Sequence, residues 1–160
     1  MKYQLSFILN GNSAELLVKP TETLLDVLRE RLGMVSVKRG CDTGDCGACT
    51  VLVNGGPVRS CITIALTVAG KQVETVEGLT VNGKLHPLQS AFHEHYASQC
   101  GFCTPGMIMS AKALLDKNPG PVRDEIVAAV SGNLCRCGSY REIVEAVESI
   151  ACCREKEVQP

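Results

Sequence analysis

The sequence predicts an α+β half of about 75 residues followed by an all-α half. Three features point there: two stretches of alternating hydrophobicity broken by Asn-Gly turns, a leucine-rich helical segment between them, and the loss of strand signal beyond Leu85. Residues 2–9 alternate, Asn10-Gly11-Asn12 is a turn signal, and residues 14–18 return as the second strand of a hairpin. Thr21 or Thr23 then caps a helix that carries Leu24, Leu25, Val27, Leu28 and Leu32 toward a core and stops near Gly33. Residues 50–53 with the Asn54-Gly55-Gly56 turn read as another strand and hairpin, and residues 72–76 as a last strand.

Helical segments follow at residues 86–97, 104–117, 122–131 and 139–150. The connection at residues 77–84 contains Gly78 and Gly83 and is short, so the two halves are expected to pack against each other, with domains at 1–78 and 79–155. Sixteen basic against 17 acidic side chains leave a net charge of −1, which suggests neither nucleic acid nor an anionic membrane as a partner. No apolar run approaches the roughly 18 residues of a membrane span, and the N-terminus alternates like a strand instead of carrying a basic head and cleavage region. A cytoplasmic location is the expectation.

In a reducing compartment, the ten cysteines at close spacing point to metal ligation before disulfides. Cys41, Cys46, Cys49 and Cys61 form C-x4-C-x2-C-x11-C, whose first three positions have the plant-type ferredoxin spacing for a [2Fe-2S] cluster. Such a cluster gathers thiolates around two sulfide-bridged irons and concentrates negative charge, which backbone N–H dipoles must offset. Gly40, Gly44 and Gly47 allow that close backbone approach. Zinc is the competing metal, but zinc ribbons pair two short knuckles, and this loop has one distant fourth ligand.

Cys100 and Cys103 form C-x2-C, and Cys135 and Cys137 form C-x-C about thirty residues later. Residues two apart point to opposite faces of a strand and lie about 200° apart on a helix, so Cys135 and Cys137 share one cluster only in a tight irregular turn. Both pairs stand before predicted helices. Thr104 can cap and Pro105 begin one, and Gly138-Ser139 lead into the other. The positive helix ends then favour an anionic cluster. Structural zinc or a redox disulfide stays open for this second set. Cys152 and Cys153, adjacent near the C-terminus, read as structural or incidental.

The segments GCDTGDCGACTVLVNG, SQCGFCTPGMIMSAKALL and GNLCRCGSYREI resemble the iron-sulfur subunit of the molybdenum hydroxylase (xanthine oxidase) family, with the resemblance running from about Leu5 to Ile150. It implies a plant-ferredoxin-like β-grasp domain followed by an all-α four-helix domain, each with a [2Fe-2S] cluster. It also implies an electron route from a molybdopterin cofactor on a large partner subunit, through the helical-domain cluster and then the ferredoxin-like one, to FAD on a third subunit or to an external acceptor. Cys100, Cys103, Cys135 and Cys137 would hold the cluster nearer molybdenum, and Cys41, Cys46, Cys49 and Cys61 the one nearer FAD. Gln99 and Cys137 match positions that lie against the pterin. A hetero-oligomer follows, such as a dimer of heterotrimers. Where the family commonly has Thr-Gly-Tyr after C-R-C, this chain has Gly138-Ser139-Tyr140.

A free two-cluster carrier is the alternative, although such carriers are often strongly acidic; a regulatory sensor lacks any basic patch or DNA-binding element here. No catalytic set is visible. His86, His93 and His95 read as surface or core-edge residues, and Asp42 and Asp45 as turn formers.

Overall fold

The computed structural model describes the backbone of residues 1–157 and the side chains of residues 1–151, so the readings of Cys152 and Cys153 fall outside the described side chains. Strands β1 (Tyr3–Leu9), β2 (Asn12–Val18), β3 (Thr50–Val53), β4 (Gly56–Arg59) and β5 (Gln72–Glu74) form one mixed sheet in the order β2-β1-β5-β3-β4. The two hairpins are antiparallel, and β5 slots between them, parallel to β1 and antiparallel to β3. This is the β-grasp arrangement. Four helices follow: α1 (Pro87–Glu94), α2 (Thr104–Lys117), α3 (Arg123–Val130) and α4 (Tyr140–Glu157).

The alternation of β1 places Leu5, Phe7 and Leu9 in a core with Leu24, Leu25, Val27 and Leu28. Thr23, not Thr21, makes the cap: its hydroxyl accepts from the Asp26 N–H at 3.1 Å, and Asp26 Oδ2 accepts from the Thr23 N–H at 2.9 Å. The expected α-helix is wider than predicted. Residues Asp26–Arg31 are π-helical, with the Leu32 N–H reaching the Val27 carbonyl, before Gly33 at φ +71° ends the segment. Leucine periodicity reports the buried face and cannot distinguish one extra residue per turn.

The last strand stops at Glu74, two residues short of the expectation, because Val76–Leu79 winds into a 3-10 turn. β3 breaks the half-buried pattern: Thr50, Val51 and Leu52 are all buried. Val51 enters the sheet core and Leu52 the helical core, whose main members include Leu88, Phe92, Met107, Ile126, Ile143 and Val147. A strand covered on both faces loses its polar stripe, and burying Leu52 this way contributes about 1.5–3 kcal/mol. Helix α4 runs beyond the predicted end at 150, since Lys, Arg and Glu there sustain helix without an apolar stripe.

One clamp secures the sheet to the linking turn. Asn10, at φ +49° between β1 and β2, accepts from the Thr75 N–H at 2.8 Å and donates to Thr75 Oγ1 at 2.9 Å. Thr75 is fully buried, so water cannot replace the lost partners. Asn10→Ala should lower stability by about 2–4 kcal/mol through unsatisfied groups and left-handed strain. Urea unfolding checks it: the midpoint should fall with little change in slope, and Asn10→Gly should recover the strain component alone.

Candidate metal centres

The first cysteine group lies on the loop between the π-helical segment and β3, with Cys61 returning from the 3-10 turn Ser60–Ile62 after β4. Ser60 holds that return, donating its hydroxyl to the Cys49 carbonyl at 2.7 Å. The loop folds around Cys41: the N–H groups of Thr43 and Cys46 both point at its sulfur at 3.4 Å. Asp42 takes a left-handed φ of +58° as a turn former and pairs with Arg39 at 2.8 Å, and Arg39 also reaches Asp26 at 2.5 Å. Asp45 accepts from the Thr43 hydroxyl at 2.6 Å. Both aspartates therefore shape the loop.

The second group forms where the start of α2 meets the turn before α4. Thr104 does not cap α2 as expected: the helix begins at Thr104 itself, Cys103 occupies the capping position, and the Thr104 hydroxyl donates to Ser98 at 3.1 Å. A threonine before proline looks like a cap in sequence, but here the cysteine must occupy the helix end to face the site. Gly138 adopts φ +84°, and this left-handed residue makes the tight C-x-C turn possible. Moving glycine one place earlier than the family habit thus keeps a turn. Ser139 is buried, and its hydroxyl accepts from Gln99 Nε2 at 3.0 Å. The Cys135 N–H donates to the Tyr140 hydroxyl at 2.7 Å.

None of the eight described cysteines is disulfide-bonded. Among the described residues no three His, Cys, Asp or Glu side chains converge on one ion-sized point, as zinc would need. Within each group the thiols still lie side by side: Cys46 by Cys41, Cys61 by Cys49, and Cys135 by both Cys100 and Cys103.

The surroundings divide the thiols sharply. The Cys46 and Thr43 donors pull Cys41 down to about 6. The Phe102 N–H lowers Cys100, and the Ser139 and Gly138 N–H groups hold Cys135 down against its burial. Burial pushes Cys61 up to about 12, with Cys49 beside it, and pushes Cys103 up to about 12, with Cys135 beside it. Each group thus holds at least one donor-stabilised thiol, Cys41 or Cys100 and Cys135, beside thiols that burial pushes up, Cys46 and Cys61 or Cys103.

The two sites adjoin. The Leu134 N–H donates to the Cys46 carbonyl at 2.8 Å, joining the first loop to the residue before Cys135. A cleft of about 400 Å³ beside this contact has Cys41 and Cys46 on one wall and Phe102, Cys135 and Tyr140 on the other. Beneath it Asn133, Thr50, Ser110 and Arg59 form a polar cluster that sequence reasoning missed. Its only signal was Asn133 within GNLCRC.

Residues 7–82 match the family described as 2Fe-2S iron-sulfur cluster binding domain, and residues 75–148 the [2Fe-2S] binding domain family. The chain is 50% identical over 146 residues to the nicotinate dehydrogenase small FeS subunit of Eubacterium barkeri, covering 91% of this chain and 93% of that one. It is 51% identical over 138 residues to the nicotine 6-hydroxylase small subunit of Paenarthrobacter nicotinovorans, covering 86% and 83%. The solved quinoline 2-oxidoreductase of Pseudomonas putida 86 superposes with a TM-score of 0.92 at 44% identity, over 98% of this chain and 96% of that one. The fold and the matched domains define an electron-transfer protein with two [2Fe-2S] clusters. The chain belongs to the iron-sulfur small subunits of the molybdenum hydroxylase family.

The thiol environments predict reactivity in the cluster-free chain. A folded value below that of the free thiol means that the thiolate's stabilisation is present above the free-thiol range, about 8.5, and is lost as pH falls through about 6. Iodoacetamide should accordingly label Cys41 first, with a midpoint near pH 6, while Cys61 and Cys103 resist at pH 8. Peptide mass spectrometry of time points checks the order; uniform labelling would contradict it.

Proposed function

We propose that Cys41, Cys46, Cys49 and Cys61 ligate one cluster and Cys100, Cys103, Cys135 and Cys137 the other, and that this chain relays electrons between a molybdopterin site on a large subunit and FAD on a further subunit or an external acceptor. Each bound cluster supplies a one-electron acceptor. The observation that carries the reading is the meeting of the two cysteine groups at the hydrogen bond from Leu134 to Cys46, which leaves a short through-bond connection from one group to the other. A free carrier needs no such fixed pair with one set open at the surface.

Exposure supports the placement of the second set toward a partner. Cys100 and Cys137 are exposed in this chain, as is Gln99 beside them, whereas Cys103 is buried behind. Burial of the second cluster therefore depends on a partner covering this face. Phe102, Leu134 and Tyr140, 46%, 59% and 39% exposed, line the cleft that holds Cys135 with Cys41 and Cys46, an apolar surface suited to docking between the two sets. The partner proposed there is the molybdopterin-binding subunit, with Gln99 and the Cys137 turn against the pterin. The Ser139 hydroxyl already engages Gln99 Nε2 and so limits how the carboxamide can turn. The domains divide near residues 78 and 79, and the assembly is a hetero-oligomer, with a dimer of heterotrimers as its fullest form. Among the described residues no helix is long and apolar enough to cross a membrane. A reducing cytoplasm would keep the thiols available for cluster assembly.

Native protein should contain about four irons and four sulfides per chain. Cys46→Ser should perturb one paramagnetic signal of the reduced protein and spare the other; stoichiometric zinc, or joint loss of both signals, would overturn the ligand sets. Gln99→Leu in the assembled complex removes pterin hydrogen bonds at a cost of about 1–3 kcal/mol. Molybdenum content or turnover should fall while the cluster spectra stay unchanged, and an unaltered rate would remove Gln99 from the pterin site.

A further inference from the structure

The side chain of Asn133 is 1% exposed and lies at the seam between the two halves. Its Nδ2 donates to the Gly47 carbonyl at 2.9 Å and approaches Thr50 Oγ1 at 3.4 Å, while its Oδ1 accepts from the Ser110 hydroxyl at 2.8 Å. Gly47 lies between Cys46 and Cys49, Ser110 belongs to the helix that begins behind Cys103, and Asn133 precedes Cys135 on the same turn. One buried carboxamide thus ties together the three segments that carry ligands of both sites. With an acceptor pair on one side and a hydroxyl donor on the other, only one carboxamide orientation satisfies all its partners.

We propose that Asn133 is a positioning residue for electron transfer between the two clusters, fixing the separation and mutual orientation of the loops that hold them. This rests on the ligand sets proposed above. The backbones meet closely enough that a Cβ on Gly106 would fall 2.5 Å from the Gly47 carbonyl, and one on Gly47 would fall 2.5 Å from the Gly132 carbonyl. Such a seam leaves little slack, and the Leu134 N–H that reaches Cys46 follows directly after Asn133. Each loop keeps its own internal bonds without the carboxamide: the Gly47 carbonyl still accepts from Thr50 N–H at 3.0 Å and Oγ1 at 2.6 Å. Arg59 independently bridges Thr50 Oγ1 at 2.8 Å and the Gly132 carbonyl at 2.6 Å. Removing the Asn133 side chain leaves the internal bonds of each loop intact and takes one bond from a seam that keeps Arg59 to Gly132 and Leu134 to Cys46, so the seam is loosened while each site keeps its own shape.

The test uses the full chain loaded with both clusters, as wild type, Asn133→Ala and Ser110→Ala. Iron content, low-temperature spin-spin splitting between the two reduced clusters, the rate of electron equilibration between them, and thermal midpoint are measured together. Asn133→Ala should retain about four irons but show weakened or broadened splitting and several-fold slower equilibration, with Ser110→Ala shifted less in the same direction. Unchanged splitting and rate in both variants, with only a lower thermal midpoint, would overturn the proposal. Should Asn133→Ala fail to load, Ser110→Ala decides alone, and no change in its splitting would overturn the proposal too. Zinc in place of iron in the wild-type chain would instead defeat the ligand sets, so the two failures are distinguishable.

Discussion

The Gly47 carbonyl is the point on which the rest of the molecule depends. It accepts from the Thr50 N–H and hydroxyl within its own loop and from Asn133 across the seam. The first two bonds shape the turn between Cys46 and Cys49; the third brings the helical half against it. A buried carbonyl with fewer partners would cost free energy, and this one is shared by both halves. A side chain at either of the glycines flanking the contact would force them apart. Two folds that could each have formed elsewhere in the chain are thereby held as one electron-carrying body.

Electrostatics explains why the sites sit on loops and helix starts instead of within the sheet. Sheet N–H groups are consumed by the ladder, so few remain to face sulfur. In the loop, Thr43 and Cys46 donate to Cys41; at the head of α4, Gly138 and Ser139 donate to Cys135. Burial pushes Cys61 and Cys103 up to about 12 in spite of the Gly44 N–H beside Cys61. Such buried thiols make cluster binding and local order mutually dependent, because ligation requires them deprotonated.

The sequence carried the two cysteine groups, the two hairpins and the four helices, since cysteine spacing and hydrophobic period survive in a linear string. It carried less where two readings share one pattern. The Leu24 to Leu32 segment repeats its leucines equally well in an α or a π-helical winding, and only Leu32 bonding to Val27 separates them. Thr104 stood where a cap should stand, but the site requires Cys103 there. Asn10 was legible as a turn residue and Asn133 only as part of a motif; their second roles, clamping Thr75 and Gly47, depend on partners 65 and 86 residues away. No local rule reaches that distance.

The exposure of the second site completes the logic. Isolated electron carriers gain from covering their clusters, because water raises the reorganisation needed on charge transfer and exposes thiolates to oxidation. This chain covers Cys49, Cys61 and Cys103 yet leaves Cys100 and Cys137 open. The openness lies on the side of the molecule whose geometry depends on the α4 turn, not on the sheet. A fold that invests a buried polar seam in fixing one site against the other, and then leaves the outer face of the second uncovered, is incomplete by itself. It becomes consistent when another subunit of a multi-subunit complex supplies the missing wall, since docking then excludes water from the exposed cysteines.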